Sequence, residues 1–201
     1  MGPPEPAVSN PSDTFDGRRR ALLQHAGLAI AALALGAPRT LLGAMPTPAA
    51  AKHHQRSRLI LLGTAGGPTP KVDRSAPANA IVIGDAIYVI DCGDGVPRQM
   101  VKAGVDLGQI RDVFITHQHS DHNADYGNLL LLAWATDLHT KVDTWGPPPL
   151  ARMTELFLEL NEYDIHIREA DEGRPPLAPL IVPHEITHAG LVMHDANVKV
   201  T

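Results

Sequence analysis

The stretch that most restricts what this chain can become is Val113-Phe114-Ile115-Thr116-His117-Gln118-His119-Ser120-Asp121-His122, an apolar run that opens into three histidines and one aspartate within six residues. β-Branched and aromatic side chains at 113 to 115 predict a buried strand, and the apolar content of 125 to 139 predicts a helix after it. The polar residues then fall on a strand-to-helix loop, where a rigid scaffold holds coordinating groups clear of the sheet. Imidazole nitrogen with carboxylate oxygen suits zinc, with iron and manganese as alternatives. In an extended backbone His117 and His119 leave on the same side and converge on one ion. Asp121 and His122 form a second pair for a neighbouring ion, and two ions about 3.5 to 4 Å apart are a known hydrolytic arrangement. The bland alternatives are a polar loop without a ligand and a single structural ion.

Short strand-like and helix-like stretches alternate around this loop. Residues 58–63 read as a first strand whose continuous Leu and Ile run is expected to be buried on both faces. Residues 80–83 and 87–90 pattern as a β-hairpin on a Gly84-Asp85 turn. Asp91 follows at the mouth of that strand, where it would accept hydrogen bonds from the histidine loop and orient it; a simple turn-forming aspartate is the other reading. Residues 96–103 predict a helix with Pro97 in its first turn and Gly104 as terminator. Residues 142–145 suggest a strand, and 150–160 an amphipathic helix with Met153, Leu156, Phe157 and Leu160 as one face. A short strand is expected at 165–168. Tyr126 and Trp134 read as packing residues, and Cys92 as a buried small residue rather than a nucleophile. His184, Glu185, His188, His194 and Asp195 read as solvated or supporting groups. Pro183 and Gly190 disfavour the helix that would bring His184 and His188 to one ion.

The opening of the chain has a different character. Residues 1–16 are Pro- and Ser-rich without hydrophobic period, the composition of a disordered segment. Arg18-Arg19-Arg20 then leads into an Ala-, Leu- and Gly-rich stretch reaching Ala37, and Ala49-Ala50-Ala51 offers a small-residue cleavage site. This resembles a twin-arginine export signal, which implies a periplasmic or secreted product starting at Lys52. A membrane anchor is the runner-up, but Pro38 and Arg39 interrupt the run before the ~20 residues a spanning helix needs. The expected organisation is thus an export segment over 1–51 and one domain over 52–201, without a stable membrane span after cleavage. A lone cysteine excludes an intramolecular disulfide.

Charge bears on the substrate. The chain holds 17 Lys and Arg against 22 Asp and Glu, and positions 52–201 hold 13 against 19, a net charge of −6. Lys52, Arg56 and Arg58 are scattered at the start of that part, with no cluster elsewhere. A protein acting on long RNA normally shows a basic footprint, so the expectation from charge is that nucleic acid is not a partner.

The run Thr116-His117-Gln118-His119-Ser120-Asp121-His122 resembles the His-x-His-x-Asp-His signature of the metallo-β-lactamase fold hydrolases. Leu61-Leu62-Gly63-Thr64-Ala65-Gly66-Gly67, Arg74-Ser75-Ala76 and Asp91-Cys92-Gly93-Asp94-Gly95 follow the order of the branch containing ribonuclease Z and its arylsulfatase and phosphodiesterase relatives. The resemblance implies an α/β fold, an αββα four-layer sandwich of which this chain would carry the N-terminal part. It implies two zinc ions, with His117 and His119 on one and Asp121 and His122 on the other. It makes Asp121 a catalytic group that orients the attacking water, and Asp91 a support of the site. Family members complete the site with a later histidine, a bridging aspartate and a final histidine. Residues 198–201 look like the start of the strand leading to the first of these. The activity this resemblance implies is zinc-dependent hydrolysis of a small-molecule ester, a phosphodiester, sulfate ester or related ester; the alternative is a silent fragment that binds metal or a partner. A half-sandwich would also expose a sheet face or edge, inviting pairing with another chain.

Overall fold

The computed structural model describes residues 56–201, so the expected export segment and the boundary at Lys52 lie outside the described residues. The strands are β1 Ser57–Gly63, β2 Ala78–Ile83, β3 Ala86–Ile90, β4 Ile110–Phe114, β5 Val142–Gly146, β6 Ile181–Glu185, β7 Met193–His194 and β8 Lys199–Val200. The helices are α1 Val96–Lys102, α2 Ser120–Asn123, α3 Tyr126–Thr136, α4 Leu150–Leu160 and α5 Glu162–Glu172. The first six strands form one sheet in sequence order, and β7 and β8 form a separate pair. The first three strands pair antiparallel, β1 with β2 across the long loop 64–77 and β2 with β3 across the tight Gly84-Asp85 turn. From β3 onward the pairing is parallel, and parallel neighbours require crossovers, which the helices supply.

Side-chain alternation divides the sheet into two faces. Ala80, Val89, Val113 and Thr144 are paired in register across β2 to β5. All four are fully buried, with Trp134, Leu129 and Leu130 of α3 in the same core. The buried Tyr126 of α3 donates its hydroxyl to Thr144 Oγ1 at 2.9 Å and lies 2.7 Å from Thr154 Oγ1 of α4, tying two helices to this face. On the opposite face run Asn79, Ile90, Phe114, Trp145 and His184, also in register. There the Trp145 ring stacks on His184 at 4.0 Å, and His184 Nε2 lies 2.7 Å from Asp143 Oδ1. The β7–β8 pair is clipped to this second face by Tyr88, whose hydroxyl donates to Asp195 Oδ2 at 2.6 Å and accepts from Asn197 Nδ2 at 3.0 Å.

Several expectations need correction. β1 is an edge strand and is not buried on both faces: Leu59 and Leu61 are 66% and 64% exposed. The helix expected over 125–139 is α3 alone, with α2 as a separate turn before it. Residues 165–168 belong to α5 rather than a strand. Arg168 is paired with Asp164 and with Glu172, each four residues away, at 3.0 and 2.9 Å, a spacing that supports helix. The inward face of α4 is Leu150, Thr154, Phe157 and Leu158, while Leu156 and Leu160 are exposed. Ile181–Glu185 forms β6 beside β5, a strand with no clear signal in the sequence. Among the described residues no helix is long and apolar enough to cross a membrane.

Asp112 is buried on the second face and accepts from Trp145 Nε1 at 2.8 Å. Burial pushes its carboxyl above the usual carboxylate range, the charges of Asp143 and Asp195 add to that, and the Trp145 hydrogen bond opposes it. A carboxyl raised on folding is neutral without penalty below its unfolded value and disfavours the native state as pH rises through its folded value. Asp112→Asn, which can still accept from Trp145, is therefore expected to be more stable than wild type at pH 7. The difference should shrink toward zero as pH falls below about 4, checked by urea unfolding at both pH values.

Candidate metal centre

Strands β3, β4 and β5 all end at the same edge of the sheet, and their following loops meet there. The sequence turns sharply after β3, where Asp91 takes a φ of 61°, a left-handed conformation that non-glycine residues adopt at some cost. In that position its carboxylate gathers the histidine loop. Asp91 Oδ1 accepts from the Thr116 amide at 2.8 Å and from the Thr116 hydroxyl at 2.9 Å. Asp91 Oδ2 lies 2.7 Å from His122 Nδ1. Backbone bonds add to the join: Cys92 N donates to His122 O at 2.7 Å, and Asp125 N to Cys92 O at 2.9 Å. The Asp125 carboxylate in turn accepts from Gly95 N at 2.7 Å. On the other side of the loop, Gln118 Nε2 donates to Pro147 O at 2.6 Å, anchoring it to the end of β5.

These contacts fix which ring nitrogens remain available. With His122 Nδ1–H donating to Asp91, its Nε2 carries the lone pair; that atom lies 3.6 Å from Asp121 Oδ2. His117 Nδ1 lies 3.0 Å from the Thr116 hydroxyl, and His117 Nε2 lies 3.1 Å from His119 Nδ1. The His117 and His122 rings are 4.0 Å apart, so all four expected residues stand together. Among the described residues no three His, Cys, Asp or Glu side chains are already drawn around one point as an ion would need; the donors stand as two pairs. Bonds of 2.0 to 2.2 Å to a tetrahedral zinc place neighbouring donors about 3.3 to 3.5 Å apart. Both pairs lie near that separation, and two facing ring nitrogens need a proton or a cation between them. Each pair thus has the spacing of two neighbouring ligands of a divalent ion and supplies two positions.

The remaining residues sort by distance from this cluster. Cys92 is fully buried. Burial, then the nearby Asp91 and Asp125 carboxylates, push its thiol well up, which removes it as a nucleophile at neutral pH. His184 is engaged with Asp143 and Trp145 away from the loop. His188 lies 2.8 Å from the Thr187 hydroxyl and touches none of the four. A cavity of about 280 Å³ opens beside Asp121, lined by Lys71, Arg74, Ser75 and Ser120. The spacing of two cations on a Pro- and Gly-rich loop was the only sequence signal for it.

The pattern of the metallo-β-lactamase superfamily matches residues 74–201. Ribonuclease Z of Mycobacterium sp. (strain KMS) is 34% identical over 139 residues, which is 68% of this chain and 48% of that protein. Ribonuclease Z of Mycobacterium bovis (strain BCG / Pasteur 1173P2) is 34% identical over 132 residues, 64% of this chain and 47% of that protein. The crystal structure of human tRNase Z, short form, superposes with a TM-score of 0.53 and 26% identity over 65% of this chain and 44% of that one. The chain thus spans about half the length of the curated relatives it matches. These relatives are ribonucleases by name, which overturns the expectation of a small-molecule ester substrate and no nucleic acid. Chain-wide charge was the wrong quantity, because the charges are segregated. Residues 56–111 hold seven Lys and Arg against five Asp, whereas 137–172 hold three against nine Asp and Glu.

Two substitutions probe the join between Asp91 and the loop. Asp91→Asn replaces a charge that takes three hydrogen bonds and is expected to weaken any divalent-metal binding at this loop about 10- to 100-fold without unfolding the chain, as measured by equilibrium dialysis. A Cβ on Gly93 would strike the Asp121 carbonyl and the Ala76 side chain. Gly93→Ala is therefore expected to displace the loop and lower divalent-metal affinity further than Asp91→Asn does, in the same assay.

Proposed function

The chain belongs to the metallo-β-lactamase superfamily, and we propose that its activity is metal-dependent hydrolysis of a phosphodiester bond in RNA. The observation that carries this reading is the pairing of His117 with His119 and of Asp121 with His122, held by the single carboxylate of Asp91. Zinc is the ion proposed, and iron or manganese would suit the same donors. A bound divalent ion acidifies water and takes up charge on a phosphoryl oxygen. His117 and His119 would hold one ion and Asp121 and His122 the other. Asp121 also has a second carboxylate oxygen with which to orient the attacking water and accept its proton. Asp91 keeps His122 in the tautomer that offers Nε2. Lys71 and Arg74, lining the cavity beside Asp121, are placed to neutralise a phosphate entering there. The ribonuclease Z relatives support RNA as the substrate class. The Arg18-Arg19-Arg20 and apolar stretch supports export by a twin-arginine route as part of the same proposal.

A second reading, metal or partner binding without turnover, is favoured by one observation: each donor pair supplies only two positions of its ion. Metal content of the full chain, measured for wild type and for His117→Ala/His119→Ala, separates the two when combined with cleavage of a structured RNA. The hydrolase reading expects close to two ions per wild-type chain and RNA cleavage that falls at least 10³-fold in the double variant. Metal bound without cleavage selects the second reading. No difference in metal content between the two proteins would sink the hydrolase reading and leave partner binding alone.

A further inference from the structure

The largest of the described cavities takes no part in the proposed metal chemistry. It measures about 740 Å³ and lies between α1 and α3, lined by Arg98, Gln99 and Lys102 on one side and Asn128 and Leu132 on the other. It shares Ser75 and Asp94 with the smaller cavity that carries Lys71, Arg74 and Asp121, so the two adjoin on the side of the histidine loop. Gln99 Nε2 donates to Ser75 Oγ at 2.8 Å and pins the loop of Lys71 and Arg74 against α1.

Arg98 and Lys102 are four residues apart and therefore share one face of α1, where both are exposed. Like charges at that spacing repel and weaken a helix, so local stability does not account for them. Among the described residues none of Lys71, Arg74, Arg98 and Lys102 is in an ion pair, whereas Arg152, Arg168 and Arg174 all are. Of the acids lining the two cavities, Asp125 is committed to the Gly95 amide and Asp121 to the proposed metal site, which leaves Asp94. The larger cavity has no aromatic side chain in its lining, so it lacks the platform on which bases stack.

We propose that Lys71, Arg74, Arg98 and Lys102 form a track for the phosphate groups of an RNA strand, running from Asp121 along the exposed face of α1. The proposal rests on the RNA reading above and extends it to a surface outside the metal centre. Four uncompensated cations along two adjoining cavities, without aromatic partners, make recognition electrostatic, sequence-tolerant and salt-dependent.

The test is fluorescence anisotropy of a labelled single-stranded RNA with the full chain, in EDTA so that cleavage does not intervene, over a series of salt concentrations. Arg98→Glu/Lys102→Glu is expected to weaken binding about tenfold or more and to reduce the log–log salt slope by roughly 1.4, two lost phosphate contacts on a single strand. Arg98→Gln/Lys102→Gln, which keeps helix propensity, should give a smaller loss in the same direction. Lys141→Glu, just before β5 and in the lining of neither cavity, should leave binding unchanged. Equal affinity in wild type and both double variants would overturn the track, as would an equal loss in Lys141→Glu. Wild-type chain that binds phosphatidylglycerol vesicles but not RNA would also overturn it. His117→Ala/His119→Ala separates the two proposals. RNA held with no metal bound leaves the track standing without the hydrolase. Cleavage of bis-p-nitrophenyl phosphate with no RNA binding leaves the hydrolase without the track.

Discussion

The structure depends on one buried carboxylate accepting hydrogen bonds from two residues of another loop. Asp91 sits in a left-handed backbone conformation and takes the Thr116 amide, the Thr116 hydroxyl and His122 Nδ1 on its two oxygens. Charge-assisted bonds of this kind are stronger than neutral ones, which is how a strained backbone at Asp91 persists. They set the start of the loop and the His122 ring, which the backbone bonds of Cys92 and the Gln118 contact to Pro147 leave undefined, since α2 is a single turn with no buried residue. Gly93 permits the close approach that the join needs, because any Cβ there would occupy the place of the Asp121 carbonyl.

The sheet explains why this join forms where it does. Pairing changes from antiparallel to parallel at β3, so the carboxyl ends of β3, β4 and β5 lie side by side. Loops leaving parallel strands at their carboxyl ends converge on one crevice. Here those loops bring Asp91, the histidine run and Pro147 together. Below them the row from Ala80 to Thr144 is packed against α3, so the strand ends are held on a rigid base.

Much of this was legible because it is local. The β-branched run at 113 to 115, the hairpin around Gly84, Pro97 and Gly104 at the ends of α1, and the His-x-His-x-Asp-His spacing are all carried within a few residues. Asp91 was legible as a hydrogen-bond acceptor for the loop, from its place at a strand mouth. The failures are equally specific. Ile165 and Ile167 alternate as a strand would, but the Asp164–Arg168–Glu172 ion pairs act at a helical spacing. The inward face of α4 was misread because one of its anchors is polar: Thr154 faces Tyr126 rather than solvent. The apolar run of β1 gave no sign of being an edge, since strand order is a property of the whole sheet. Net charge misled for a similar reason, as it sums over residues that the fold separates.

That separation is spatial as well as sequential. α1 lies over the β1 side of the sheet, α4 packs on β6 and α5 on α4, and α3 stands between them. The basic residues of 56–111 and the acidic ones of 137–172 therefore give the described part of the molecule a permanent electrostatic polarity. A charge distribution of this kind exerts a torque on the protein as a polyanion comes near, before any contact forms. Collisions that begin with the acidic helices are slowed and turned, and those that begin at α1 are drawn in, so a larger share of encounters starts in one orientation. The advantage is kinetic, and it fades as added salt shortens the range of the field.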